Sequence, residues 1–318
     1  MSGPSSTGQP VVIQWILDTR TLWPEAEKTA QLETAAHRAL SLLTDEERAG
    51  VLKYYHVRDA KMALGSHLLK RLVISKYAGV PWRDVHLTRN ARGKPIFTLA
   101  DGTEPVSFNV SHQAGLVALV ALAAVAGYPP GPVDVGVDVV CTDERRARDH
   151  KMIAEEGWPA FVDMHADVFA PSEAGYLKYQ ILAAVPGLRR GAGLEEVVDF
   201  KLRCFYTLWC LREAYVKMTG EALLAEWLSA LEFRNFRPPL PAAAAAPGGE
   251  EAVTAHEIYF RGQRVDDANV CLRSLGPDFM TCTAVRTPEK KEDGLGFELG
   301  PFEMMPMDEL LDFAERQM

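Results

Sequence analysis

The chain has little cysteine: Cys141, Cys204, Cys210, Cys271 and Cys282 are the only five in 318 residues, and no Cys-x-x-Cys pair occurs. An odd, scattered set excludes a disulfide scaffold and a structural zinc site, and a reducing, cytoplasmic setting is expected. Long apolar runs are missing too. The longest, Leu116–Ala126, has 11 residues, where a membrane-spanning helix needs about 20. The opening MSGPSSTGQP lacks the basic and apolar stretches of a secretory signal. Positive charge is in deficit, with 34 Lys and Arg against 43 Asp and Glu and a net charge of −9. That excludes a broad nucleic-acid surface. Any anionic ligand must be held by a local cluster of cations. There is no P-loop, no Gly-x-Ser-x-Gly elbow and no clear internal repeat.

The remainder is globular in composition, 47% apolar, 24% charged and 9% aromatic, and long enough for about two domains. Residues 1–10 read as a flexible start. Val11–Leu17 reads as a strand and Glu25–Leu43 as a helix. Thr44-x-x-Glu47 is a capping box that starts a second helix at Asp45. A third helix runs over Arg58–Tyr77 and stops at Gly79, with Pro81 beyond. Strands are predicted over Val85–Thr88, Ile96–Leu99, Val106–Val110 and Leu116–Val125, then a linker over 126–133. A strand over Val133–Val140, a helix over Asp199–Thr219 and strands over Ser229–Phe236, His256–Arg261, Asn269–Ser274 and Phe279–Val285 follow. Residues 238–250 form a Pro-, Ala- and Gly-rich insertion. The segment 287–318 reads as a loosely ordered tail with one amphipathic helix near Met307–Arg316. The pattern predicts an α+β fold in two halves, 11–128 and 129–286.

Four short stretches carry candidate chemistry. Trp209, Glu213 and Lys217 are four apart and share a helix face. An ordinary surface Glu–Lys pair would look the same. In Gly136-Val137-Asp138 an aspartate interrupts an apolar strand, so it must be paired, bound to a metal or at the strand's end. Were it to face Glu213, the two carboxylates would repel, and a divalent ion would remove the difficulty. Arg89, Arg92 and Lys94 surround the turn Gly93–Pro95, which reads either as a solvated hairpin or as a phosphate clamp. Phe108-Asn109-Val110-Ser111-His112 ends a strand, either as a satisfied turn or with Ser111 and His112 as phosphate donors.

Taken together and in this order, the four stretches resemble the Sfp-type 4′-phosphopantetheinyl transferases, particularly fungal and animal members. The family's GKP, FNxSH, (V/I)G(I/V)D and WxxKExxxK motifs stand as Gly93–Pro95, Phe108–His112, Val135–Asp138 and Trp209–Lys217. The stretch Tyr55–Lys61 is similar to the family's RDAK-type segment, and the likeness spans roughly residues 11–285. There are two departures: the usual lysine before the glutamate is Arg212, and a further metal-binding glutamate of bacterial members is Val140.

The resemblance implies two similar α/β subdomains with pseudo-twofold symmetry, and coenzyme A in the cleft between them. It implies Mg²⁺, with Mn²⁺ as the alternative, held by Asp138 and Glu213, with Gln113 or water in place of the third carboxylate. Glu213, Asp138, Lys217 and His112 would be catalytic. Arg48, Lys53, Arg89, Arg92, Gly93, Lys94, Pro95, Asn109, Ser111 and His112 would line the coenzyme. The reaction implied moves the 4′-phosphopantetheine arm to a serine of an apo acyl or peptidyl carrier protein. The enzyme would be a monomer without nucleic-acid or membrane partners. Leu223, Leu224 and Trp227 are candidates for a carrier groove, with core packing their simpler use. A non-catalytic module that binds coenzyme A or docks carriers is the alternative, and a metal-dependent nucleotide hydrolase ranks behind it.

Overall fold

In the computed structural model, residues 11–123, 132–221, 227–241 and 251–318 are described. Strand β1 (Val11–Asp18) opens the first half. The helix expected over Glu25–Leu43 is a series of short turns. Leu32–Ala35 and His37–Leu40 are separated by Ala36, whose backbone (φ −107°, ψ 24°) leaves the helical region. Thr44 caps α1 (Asp45–Leu52) as predicted: its Oγ1 accepts the Glu47 N–H at 3.3 Å, and the Glu47 carboxylate accepts the Thr44 N–H at 3.0 Å. Helix α2 (Val57–Ala78) ends at Gly79, which takes a left-handed φ of +68°. The strands expected over Val85–Thr88 and Ile96–Leu99 shrink to β2 (Thr88–Arg89) and β3 (Pro95–Ile96), a small hairpin that joins no larger sheet. Strands β4 (Val106–Gln113) and β5 (Leu116–Ala123) follow.

The second half starts with β6 (Asp134–Cys141). Its longer helices are α3 (Arg146–Glu156), α4 (Pro171–Tyr179) and the long α5 (Leu194–Thr219). Then come β7 (Leu231–Arg234), β8 (Ala252–Val253), β9 (Glu257–Phe260), β10 (Gln263–Arg264), β11 (Ala268–Leu275) and β12 (Phe279–Arg286). The first sheet runs β1-β5-β4 and the second β6-β12-β11, each with its opening strand antiparallel to the last strand of a hairpin. Strand β8 extends the second sheet, and β10-β9-β7 form a small separate one. The linker predicted over 126–133 and the insertion over 238–250 fall mostly outside the described residues.

Side-chain alternation explains the layering. Val117, Leu119, Ala121 and Ala123 of β5 pack in one core with α2, whereas Leu116, Ala118, Val120 and Leu122 face Val135, Val137, Val139 and Cys141 of β6. Strand β5 is therefore buried on both faces, which is why its sequence is an unbroken apolar run. Helix α5 covers the other face of the second sheet, in a core with Val140, Met280, Cys282 and Ala284.

The tail corrects the sequence expectation. It is ordered, and it returns to the first half. Strand β13 (Glu303–Met304) adds to the first sheet parallel to β1, with Trp15 opposite Glu303. Helix α6 (Met307–Arg316) sinks Leu310, Leu311 and Ala314 into the first core. Arg38 donates to Glu315 at 2.7 Å and Asp312 at 2.5 Å, and the Trp82 N–H donates to the Gln317 carbonyl at 3.0 Å. Local sequence marked the helix but not its partner.

Two outcomes are expected. Leu310 is fully buried, so Leu310→Ala should cost about 2–5 kcal/mol of unfolding free energy in urea titrations. Burial pushes the Glu47 carboxyl up, but His67, the Thr44 N–H and Arg71 outweigh it and hold the pKa at about 2. A depressed folded pKa gives stability above the unfolded value of about 4.3 that is lost as pH falls toward about 2. Glu47→Gln should therefore flatten the loss of stability between about pH 5 and pH 2, by on the order of 1–3 kcal/mol in titrations across that range.

Candidate active site

Helix α5 lies directly on β6. A Cβ at Gly136 would stand 2.1 Å from the Ala214 carbonyl oxygen and 2.4 Å from the Met218 nitrogen. Only glycine allows this approach. Two residues on, Asp138 points the same way and meets Lys217 one turn after Glu213. The Lys217 Nζ donates to Asp138 Oδ1 at 2.7 Å and to Ser111 Oγ at 2.9 Å, and Ser111 Oγ donates to the same Oδ1 at 2.9 Å. Asp138 and Ser111 are buried, and the Lys217 side chain is 26% exposed. Burial pushes the Lys217 ammonium down, but Asp138 and Glu213 outweigh it and hold its pKa above the ordinary lysine value. Glu213 makes no hydrogen bond among the described residues. Burial pushes its carboxyl above the usual range; Lys217 opposes this and the charge of Asp138 adds to it. The two carboxylates and the ammonium thus share one neighbourhood.

The other side of the site comes from β4. Period-two alternation puts Asn109, Ser111 and Gln113 on one face of that strand. Asn109 Oδ1 accepts the Val137 N–H at 3.0 Å, and Gln113 Oε1 accepts the Cys141 N–H at 3.2 Å. The Lys94 Nζ donates to the Val135 carbonyl at 2.9 Å. These three side chains close the edge of β6 that no strand pairs. His112 points to the opposite, α2-facing side of β4 and is solvent-accessible. Partial burial, and Lys217 next, lower its pKa.

The hairpin's cations are already engaged. Arg92 donates to the Thr219 carbonyl at the end of α5, as a cation at a helix C-terminus does. Arg89 donates to the Gly93 carbonyl at 2.6 Å, and Gly93 takes the φ of +79° that the turn requires. Pro95 opens β3. Beside this hairpin a hollow of about 700 Å³ is lined from both halves, by Arg92, Lys94 and Glu104 on one side and Asp134, Met218 and Gly220 on the other.

Known proteins are similar to this chain over most of its length. Residues 30–124 match the family "4′-phosphopantetheinyl transferase, N-terminal", and residues 134–260 match the "4′-phosphopantetheinyl transferase superfamily". The 4′-phosphopantetheinyl transferase 1 of Fusarium mangiferae is 48% identical over 307 residues, 96% of each chain. The 4′-phosphopantetheinyl transferase of Aureobasidium melanogenum is 38% identical over 86% of this chain and 90% of that one. A human L-aminoadipate-semialdehyde dehydrogenase-phosphopantetheinyl transferase is 26% identical over 71% of this chain and 57% of its own. The chain belongs to the 4′-phosphopantetheinyl transferase superfamily.

Not every expected residue of this transferase joins the cluster. Arg48 pairs with Glu33 at 3.6 Å on the surface, and Lys53 stands exposed at the end of α1. Both ends of the Gln113 amide are in use, the second donating to Glu144 at 2.9 Å. Val140 is buried in the core under α5 and faces no polar group that would need a ligand there. Arg212 turns inward: it is 1% exposed and donates to Glu173 at 2.7 Å and to the Leu231 carbonyl at 2.8 Å. It braces α5 against α4 and β7, which an i, i+1 position beside the catalytic face did not reveal. Trp227 packs edge-on against Phe260, in line with a core use, while Leu223 and Leu224 fall outside the described residues. Of the charged residues of α2 that act on His112, Asp59 belongs to the RDAK-type stretch and Lys70 went unread in the sequence.

Asn109→Ala would leave the buried Val137 N–H without a partner. Such groups cost about 1–3 kcal/mol, and chemical denaturation of that variant should show a loss of this size.

Proposed function

We propose that coenzyme A lies between the two halves and that the enzyme moves its 4′-phosphopantetheine arm onto a serine of an apo acyl or peptidyl carrier protein, releasing adenosine 3′,5′-bisphosphate. The observation that carries this is the Asp138–Lys217–Ser111 cluster, assembled from both halves with Glu213 alongside. The matching strand orders β1-β5-β4 and β6-β12-β11, each with one long helix on its outer face, support two subdomains related by pseudo-twofold symmetry. The hollow lined from both halves supports a ligand between them. One chain contributes both halves, which favours a monomer. No helix among the described residues is long and apolar enough to cross a membrane, and a cytoplasmic enzyme fits the reduced cysteines.

The donor set suits Mg²⁺ or Mn²⁺. Asp138 and Glu213 offer hard oxygens, Oδ2 of Asp138 takes no part in the Ser111 and Lys217 bonds, and the charge of Asp138, which adds to the burial that raises Glu213, is what a divalent ion would offset. When bound there, the ion supplies Lewis-acid polarisation of the pyrophosphate. Among the described residues no group of three His, Cys, Asp or Glu is placed for a metal, so the remaining positions fall to water and phosphate oxygens.

The chain's own residues supply the rest. The carrier serine oxygen bonds to the pantetheine-side phosphorus, and the bridging oxygen leaves with the adenosine bisphosphate. Glu213 accepts the serine proton; its raised pKa and lack of a hydrogen-bond donor suit a base. Lys217 keeps its charge through the ordinary pH range and balances negative charge on the phosphoryl oxygens. Ser111 holds the Lys217 ammonium and Asp138 in place, and His112, on the other side of β4, is a separate donor for a coenzyme phosphate.

Incubating an apo carrier with coenzyme A, Mg²⁺ and the enzyme should add about 340 Da, the mass of the arm. Glu213→Gln should lower kcat at least about 10²-fold with the fold retained. Transfer by that variant at near the wild-type rate would rule out the role given to Glu213.

A further inference from the structure

Glu213 is the least anchored member of the cluster. Asp138, Ser111 and Lys217 hold one another by hydrogen bonds, whereas Glu213 makes none among the described residues. The rotation of α5 therefore places its carboxylate. A helix with its side chains has a radius of about 5–6 Å, so turning α5 by about 20° would carry that carboxylate through roughly 2 Å. A misplacement of about 1 Å can cost about 10²-fold in rate. Lys217 is less exposed to such a shift, because its long side chain has its own bonds to Asp138 and Ser111.

Contacts on two sides of α5 bear on that rotation. On one side the Ala214 carbonyl and the Met218 nitrogen close on Gly136 of β6. A bare glycine sets how near the helix comes but gives no grip against rolling. On the other side stands Arg212, next to Glu213 and about 100° round the helix, sunk to 1% exposure. Its Nη1 donates to Glu173 Oε2 of α4 at 2.7 Å and to the Leu231 carbonyl of β7 at 2.8 Å, and its Nη2 donates to the Leu228 carbonyl at 2.5 Å. Glu173 is held in turn, since it accepts the N–H groups of Ala170 and Phe233 at 2.7 Å each. Burial works against both charges, and each partner opposes it in the other. A buried ion pair contributes little net stability, and well-packed apolar side chains would join α5 to α4 as firmly. What a planar guanidinium with three fixed acceptors adds is an angle.

We propose that Arg212 and Glu173 are a positioning pair for the transfer reaction: they set the angle of α5 and so the place of the Glu213 carboxylate in the cleft, and they act on turnover and not on the binding of coenzyme A. This rests on Glu213 serving as the base of that reaction. Neither member reaches the cleft, for both are buried on the far side of the helix. A lysine at 212 would still meet Glu173, but as a point charge without the fork that also reaches Leu228 and Leu231.

The test is steady-state transfer by the full chain to an apo carrier protein, with coenzyme A and Mg²⁺, alongside urea unfolding of the same variants. Arg212→Met combined with Glu173→Gln removes both charges and keeps an acceptor for the Phe233 N–H, so this double variant should still unfold in one cooperative transition. Its kcat should fall about 10- to 100-fold while KM for coenzyme A changes less than about threefold. Arg212→Lys should lie between it and wild type, with kcat lowered about 3- to 10-fold. A pair that only stabilises the fold would move the urea midpoint and leave kcat of the folded enzyme unchanged. That result, or a rise in KM as large as the fall in kcat, overturns the assignment. Should the double variant fail to fold, Arg212→Lys decides, and a kcat equal to wild type overturns it. Wild-type turnover by Glu213→Gln would instead overturn the role of Glu213, and this inference with it.

Discussion

The unpaired edge of β6 is the constraint from which the site follows. Among the described residues strand β6 pairs with β12 alone, yet it is buried, so its outward N–H and C=O groups need partners other than a strand. Asn109, Gln113 and Lys94 of the first half supply them. These bonds fix β4 beside β6. They also fix what lies between Asn109 and Gln113 on the same face, which is Ser111, at hydrogen-bond distance from Asp138. Residues that look like ligands in the sequence are thus also the seam of the fold. A site built across such a seam is rigid because loosening it would leave buried backbone groups unsatisfied.

Helix α5 provides the second half of the geometry through two opposite faces. One face is brought against β6 by the missing side chain of Gly136 and aims Lys217 at Asp138. The other is held by the fully buried Arg212–Glu173 pair, whose carboxylate also accepts the N–H groups of Phe233 and Ala170 at 2.7 Å each. A buried ion pair contributes little net stability but is costly to break. Its effect here is to forbid rotation of the helix that would carry Glu213 and Lys217 away from the cleft.

The sequence disclosed residues whose chemistry is odd for their surroundings. Asp138 in an apolar strand, the Glu213–Lys217 row and the Thr44 cap were legible because charge at a buried position, helical spacing and capping chemistry each leave a local mark. Partners distant in sequence left none. Lys94 and Arg92 read as free cations because Val135 and Thr219 are far away along the chain. Gln113 read as a possible ligand because nothing local told that the Cys141 N–H would claim it. The broken helix over Glu25–Leu43 failed for a different reason: apolar spacing predicts a face but not the turn at Ala36 that divides it.

The last elements of the chain complete its first sheet and its first core, since β13 lies beside β1 and α6 inserts among the residues packed on α2. The outermost strand of the first sheet thus gains its neighbour from a segment nearly 290 residues further along the chain. Without residues 303–316 the first half would present an open edge at β1 and an uncovered apolar face, a state prone to association with other chains. The first half is therefore not a module that could be cut out at the boundary between the halves, because its sheet and core draw on residues 303–316.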